Sequence, residues 1–183
     1  MLHSAILEFF TAYYEMPPTE IQTLPYKCSS QQGAHSDMHL VSSPTVGARY
    51  SRESLAAAWC ACERANEENR ALIIYPGSHR FLKKPLSHFD NNYGNWVEDL
   101  DKFCRSNGCH PEVFLAEKRN ALIWHGDLLH AGGKTSKSGS TRKSLVVHYC
   151  RLVEEAESPS PSLKRMKHKN DWYFAQPAQP VVG

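Results

Sequence analysis

The sequence predicts a mainly β fold, a sandwich or jelly roll carrying a few flanking helices. Three observations carry this reading. Short apolar runs of strand length, "ALIIY", "EVFLA", "NALIW" and "KSLVVHYC", recur between turn-forming stretches rich in Gly, Pro, Ser and Asn. Only two stretches, "SAILEFFTAYY" and "NWVEDLDKFCRSNG", hold apolar residues at clear helical spacing. Finally, 183 residues at 41% hydrophobic composition suffice for one domain with its own core, and many short strands with few helices favour packed β layers.

Taken in chain order, the first helix is placed at residues 2–14 and is stopped by Pro17 and Pro18. Between 24 and 50 the signals change to short strands and loops, punctuated by Gly33, Pro44 and Gly47. The stretch "SRESLAAAWCACERANEEN" is helical by local propensity, although its later part is also compatible with a buried strand. "RALIIYPGSHR" reads as a strand closed by a Pro-Gly turn. In the second helix Trp96, Leu100, Phe103 and Cys104 share one face, with Gly108 as its stop. "EVFLA", "NALIWHG" and "RKSLVVHYCRL" follow as strands, the last two separated by "GGKTSKSGST". From 154 to 183 the chain is polar and Pro/Ser-rich and reads as a mobile tail. A single domain over 1–153, with its β core at about 24–153, is the expectation.

Charge and targeting signals narrow the setting. With 21 basic and 19 acidic side chains, a net charge of +2 provides no concentrated positive field, which argues against nucleic acid as a partner. "MLHSAILEFF" lacks a basic n-region and a small-residue cleavage site, and no apolar run reaches the roughly 20 residues that span a bilayer. The ending "PVVG" is not a peroxisomal signal. A cytoplasmic protein acting on a small molecule, without membrane attachment, is expected; oligomeric state is not legible. The six cysteines are scattered and read as free thiols, and Cys60 and Cys62 are too close together for a common zinc knuckle.

The histidines carry the chemical signal. Ferrous iron is held by two histidines and one carboxylate in many oxygenases, leaving positions open for cosubstrate and oxygen. A His-x-Asp pair suits such a site on a strand, because residues two apart share a face. The pattern occurs three times. His88 and Asp90 lie in "KKPLSHFDNNYGN", a polar, turn-rich loop. His125 and Asp127 flank Gly126, which reads first as a turn and leaves this pair in reserve. His35 and Asp37 sit in "GAHSDMHL", where the plain alternative is a hydrogen-bonded polar strand. Further on, Arg142 and Ser144 place a guanidinium and a hydroxyl side by side, a natural clamp for a carboxylate. Iron ligands together with such a clamp point to a 2-oxo acid cosubstrate.

Five segments, "SSQQGAHSDMHL", "AAAWCACE", "IIYPGSHR", "NALIWHGDLLHAGG" and "TRKSLVVHY", occur in this order over roughly residues 24–151. In these motifs the chain resembles the phytanoyl-CoA dioxygenase family of iron- and 2-oxoglutarate-dependent oxygenases. The resemblance implies a double-stranded β-helix with His35, Asp37 and His130 as ligands of Fe(II), preferring His130 to His125. It implies that Arg142, helped by Ser144, binds the distal carboxylate of 2-oxoglutarate, and that Trp59 lines the cosubstrate pocket. It also makes "AAAWCACE" a strand, against local propensity. The reaction implied consumes O2 and 2-oxoglutarate, releases succinate and CO2, and hydroxylates a small-molecule substrate. Asp37 favours hydroxylation over halogenation, because related halogenases replace this carboxylate with a small residue.

The remaining candidates are weaker. His39 and Gln31 are candidate substrate contacts, weighed against a backbone-bonded histidine and a satisfied core amide. His79 reads as shaping a turn, and the basic cluster "KRMKHK" as a solvated tail. The competing class is a non-catalytic jelly-roll protein that binds metal or ligand without turnover. A metal enzyme using no 2-oxo acid would not need Arg142.

Overall fold

Helix α1 (Ser4–Tyr14) opens the architecture, its first turn capped by the His3 imidazole, which accepts from the Ala5 backbone N–H at 3.3 Å. It ends at Glu15, whose backbone is left-handed with φ 57°. The computed structural model describes residues 3–30, 32–38, 55–69, 71–80, 92–134, 139–151, 164–168 and 171–175, the last two stretches through their backbone alone. The strands are β1 (Pro18–Tyr26), β2 (Ala56–Ala61), β3 (Leu72–Ile74), β4 (Glu112–Phe114), β5 (Ala121–His125), β6 (His130–Gly132), β7 (Ser144–Arg151), β8 (Lys164–His168) and β9 (Asp171–Ala175). Helix α2 (Tyr93–Ser106) lies between β3 and β4 in sequence.

The strands form two sheets. The larger has the order β5-β2-β7-β1-β9-β8 and the smaller the order β4-β3-β6. Strand alternation sorts the side chains of β7 to two faces. Leu145, Val147 and Tyr149 pack with Phe10, Tyr14, Ala56 and Ala58, so the spacing of Leu7, Phe10 and Tyr14 makes α1 a cover for the outer face of the large sheet. Val146 points to the other side, where it meets Ala57, Trp59 and Trp124 of the large sheet and Leu72, Ile74 and Phe114 of the small one. This layer between the sheets is the core that supports the site. On the far side of the small sheet, Ile73 and Ala131 pack against Trp96, Leu100, Cys104 and Phe103 of α2, the face expected from the helical spacing. The layers therefore run helix, large sheet, small sheet, helix, consistent with a jelly roll with flanking helices.

Three features that local propensity and composition alone do not give have physical reasons. Strand β1 begins at Pro18, ahead of the expected core start near 24. Pro18 is tolerated as the first residue of the strand, and the β-branched Thr19, Ile21 and Thr23 continue it in antiparallel register with β7. Strand β2 overrides its helical propensity because it is paired on both edges, with β5 and β7, where two ladders outweigh a weak local preference. Within 154–183, read from composition as a tail, β8 and β9 pair antiparallel with each other, and β9 runs parallel to β1 through Thr19↔Trp172 and Glu20↔Tyr173. The aromatic run "DWYFA" is a strand signal that the surrounding polar, Pro/Ser-rich composition obscures.

All six cysteines are free, in keeping with their scatter in the sequence. No helix among the described residues is long and apolar enough to cross a membrane. Trp96 is fully buried between α2 and the small sheet, so Trp96→Ala should cost about 3–5 kcal/mol of unfolding free energy, measured by urea denaturation.

Candidate active site

The site is assembled by backbone before any side chain meets another. His35 and His130 form an antiparallel bridge, each N–H donating to the other's carbonyl at 2.9 Å. His130 starts β6, and its approach is fixed by the loop before it: Tyr75 N–H donates to Leu129 O at 3.0 Å, and Leu129 N–H donates to the buried Ser78 hydroxyl at 2.8 Å. The "PGSH" turn thus sets the path of the chain into His130. Asp37 does not continue a strand; its backbone and that of Met38 are helical. The shared strand face expected for His35 and Asp37 is replaced by one bridged residue followed by a turn.

That turn is anchored on Gly126. Its carbonyl accepts from Met38 N–H at 2.9 Å and from the Ser36 hydroxyl at 3.0 Å, while its own N–H donates to Leu55 O at 2.7 Å. A Cβ at this position would lie 2.9 Å from Leu55 O and 3.0 Å from Leu55 Cβ, so only glycine allows the approach. The reserve motif His125-Gly126-Asp127 is therefore a support for Asp37. Asp127 N–H donates to His125 Nδ1 at 3.1 Å, closing the turn.

The side chains converge. One nitrogen or oxygen from each of His35, Asp37 and His130, all buried, lies within 4.8 Å of the others, the one such cluster able to hold a metal ion among the described residues. His35 Nδ1 is 2.8 Å from Gly33 O and His130 Nδ1 is 3.0 Å from Leu128 O. A carbonyl accepts only from an N–H, so both rings carry a proton on Nδ1 and turn Nε2 toward the cluster. Asp37 Oδ1 is 3.9 Å from His35 Nε2 and 3.5 Å from His130 Nε2.

Electrostatics set the same protonation. Burial, reinforced by the neighbouring His130, pushes the His35 imidazole down to about 4, so it is neutral near pH 7. Burial alone would raise the Asp37 carboxyl, but His130, His148 and His35 around it outweigh that and hold it well below the usual carboxylate range. Neutral imidazole and ionised carboxylate are the forms that bind a divalent cation.

The second half of the site lies along the start of β7 and on β2. Arg142 and Ser144 are both buried, and Arg142 Cζ stands 5.5 Å from the centre of the Trp59 ring. Arg142 N–H donates to Lys27 O at 3.0 Å, extending the β1–β7 ladder by one step beyond Tyr26↔Ser144. The Ser144 hydroxyl and the Trp59 indole N–H are buried with no hydrogen-bond partner among the described residues. Tyr26 connects the halves: burial and then Asp37 push its phenol up, while Arg142 pulls it down.

Three contributors were not singled out in the sequence. Tyr26, Trp124 and His148 all face the site, and Trp124 Nε1 donates to Asp37 Oδ2 at 2.7 Å. His148 Nε2 lies 3.2 Å from the same oxygen, within ion-pair range though not aligned as a hydrogen bond. The signal for His148 was available: it has the same strand parity as Ser144, with Val146 between them. Gln31, His39, His88 and Asp90 lie outside the described residues. His79 is exposed, its ring centre 5.9 Å from that of His125.

Two measurements check this geometry. Because His35 has a folded-state value depressed from 6.5 to about 4, the unfolded chain takes up the extra proton first as pH falls. Metal-free protein should keep the full contribution above about pH 6.5 and lose on the order of 3 kcal/mol between there and about pH 4. Urea midpoints across that window should be flatter by this amount in His35→Gln. Gly126→Ala should lower unfolding free energy by about 1–3 kcal/mol in the same assay.

Comparison with known proteins places this geometry. A family model described as Phytanoyl-CoA dioxygenase (PhyH) matches residues 20–144. Peroxisomal phytanoyl-CoA dioxygenase of Mus musculus is 24% identical over 120 residues, covering 61% of this chain and 34% of the mouse protein. The Bos taurus protein is 29% identical over 106 residues, 52% of this chain and 28% of its own. The chain thus spans about a third of the length of these curated relatives. Among solved structures, the non-heme alpha ketoglutarate dependent epimerase SnoN from nogalamycin biosynthesis superposes with a TM-score of 0.55 at 13% identity, over 94% of this chain and 70% of SnoN. EctD from S. alaskensis, solved with 2-oxoglutarate and 5-hydroxyectoine, gives 0.50 at 14% identity, over 75% of this chain and 45% of EctD. These likenesses support the jelly-roll fold. Since the matched segment takes in more than half of the sequence and carries both His35 and Arg142 motifs, the chain belongs to the phytanoyl-CoA dioxygenase family, a family of enzymes.

Proposed function

We propose that this chain is a dioxygenase that holds Fe(II) through His35, Asp37 and His130 and uses 2-oxoglutarate to hydroxylate a small organic substrate. The observation that carries the reading is the donor set itself: one atom each from two imidazoles and a carboxylate, buried and within 4.8 Å of one another, with both Nδ1 atoms turned to backbone carbonyls. Two imidazoles and one carboxylate suit ferrous iron and leave coordination positions open. Structural zinc would ask for four protein ligands.

The chain's own groups divide the work. His35 and His130 are held by their Nδ1 protons, so each Nε2 stays aimed at the cluster. Asp37 supplies the compensating negative charge. Arg142 would grip the distal carboxylate of 2-oxoglutarate with its planar fork. The orphaned Ser144 hydroxyl has the right chemistry to donate to the same carboxylate, and Trp59 would wall the cosubstrate chamber. Bound iron would supply the redox chemistry in which O2 and 2-oxoglutarate become succinate, CO2 and one hydroxyl group on the substrate. Burial of the triad keeps bulk water away from that chemistry.

The test is an anaerobic titration of the metal-free protein with Fe(II) and 2-oxoglutarate, following the visible charge-transfer band of the chelate. Wild type should develop the band. Asp37→Ala should abolish it, and Arg142→Ala should shift its 2-oxoglutarate midpoint upward by about tenfold or more, for a lost charge-assisted pair worth roughly 1.5–3 kcal/mol. Folded wild type without a band would rule the reading out and favour a binding protein without turnover.

A further inference from the structure

We infer that His148 is a positioning residue which, together with Trp124, holds the Asp37 carboxylate by Oδ2 so that Oδ1 alone is presented to the metal. The inference rests on the iron-binding reading above and concerns two side chains that lie behind the donor cluster. Asp37 uses its two oxygens differently. Oδ1 faces His35 Nε2 and His130 Nε2, at 3.9 and 3.5 Å. Oδ2 faces Trp124 Nε1 at 2.7 Å and His148 Nε2 at 3.2 Å. A carboxylate pivots freely about its terminal torsion unless its oxygens are engaged, and this one is held at Oδ2 by the Trp124 N–H and flanked there by His148 Nε2.

The fold explains how the two reach the same atom. Trp124 on β5 is paired with Ala57 on β2, and Ala57 is paired on its other edge with His148 on β7. Trp124 and His148 therefore flank one alanine across three adjacent strands, on the face that looks toward the small sheet. The alanine between them leaves room for Asp37 to enter from its turn. A fourth-ligand role for His148 is not supported by the geometry, since its nitrogens do not join the cluster formed by His35, Asp37 and His130. Nor does packing call for an imidazole there. His148 is almost fully buried on the face that carries Val146, neither ring nitrogen makes an aligned hydrogen bond, and an aliphatic side chain would fill the space without a desolvated polar group. What the imidazole adds is a polar nitrogen, Nε2, 3.2 Å from Oδ2.

The probe is Co(II), titrated into metal-free protein and followed by its visible absorption, which reports both affinity and the ligand field. His148→Phe should weaken Co(II) binding about 10–100-fold, the usual consequence of losing a partner of a metal ligand, and should change the shape of the band. His148→Gln, which returns an N–H at the position of Nε2, should recover most of that loss. Trp124→Phe added to His148→Phe should cost less than the product of the two single losses, because both act on one oxygen. Val147→Ala, on the opposite face of the same strand, should lower stability while leaving Co(II) affinity and spectrum at wild-type values. Folded His148→Phe with wild-type affinity and spectrum would overturn the inference, as would a His148→Gln as weak as the phenylalanine variant. Wild type that takes up no Co(II) would instead sink the iron-binding reading, and the inference with it.

Discussion

The reciprocal pair of hydrogen bonds between His35 and His130 is the contact on which the rest depends. Two residues 95 positions apart in sequence (130 − 35) are locked by their own backbones, so their rings are neighbours before a metal asks it of them. Ring centroids 4.5 Å apart follow from that bridge. Each ring is then turned by a carbonyl two residues earlier in its own segment, Gly33 O for His35 and Leu128 O for His130. The device is local and repeated, which makes ligand orientation a property of short loops rather than of distant packing.

Asp37 is placed by a different route, and the difference matters for charge. Its turn hangs from Gly126 and its carboxylate is buried among imidazoles and an indole N–H. Burial of a carboxylate is costly unless it is met by donors. Here Trp124 donates to one oxygen, with His148 Nε2 beside it, and the His35 and His130 imidazoles face the other. The two sheets have separate tasks: the small sheet with α2 behind it carries His130, and the large sheet with α1 behind it carries Trp59, Trp124, Ser144 and His148. The site lies where their inner faces meet.

Much of this was legible in the sequence, and the parts that were not have identifiable causes. The helical faces of α1 and α2 declared themselves through periodicity, because each buries one face against a sheet, and the strands "ALIIY", "NALIW" and "KSLVVHYC" through short apolar runs of strand length. The β2 strand did not, since six residues rich in alanine look helical until two partner strands are known. His35 was favoured because its segment reads as a strand while those of His88 and His125 read as loop and turn, with motif order in support, and the geometry differs: Asp37 sits on a turn. Gly126 looked like punctuation and is a close-contact anchor. Trp124 and His148 escaped notice because an apolar strand containing one histidine reads as core. Their meaning appears only when β5, β2 and β7 lie side by side, a long-range pairing that no local window contains.

The atoms of the chain proposed to face the iron are His35 Nε2, Asp37 Oδ1 and His130 Nε2. Crystals grown without oxygen in the presence of Fe(II) and 2-oxoglutarate, with the iron located by its anomalous scattering, test this most directly. A single iron bonded to His35 Nε2, Asp37 Oδ1 and His130 Nε2, with Asp37 Oδ2 still on Trp124 and 2-oxoglutarate reaching Arg142, is the predicted result. Iron bound elsewhere, or a carboxylate that turns Oδ2 to the metal and leaves Trp124, would contradict it.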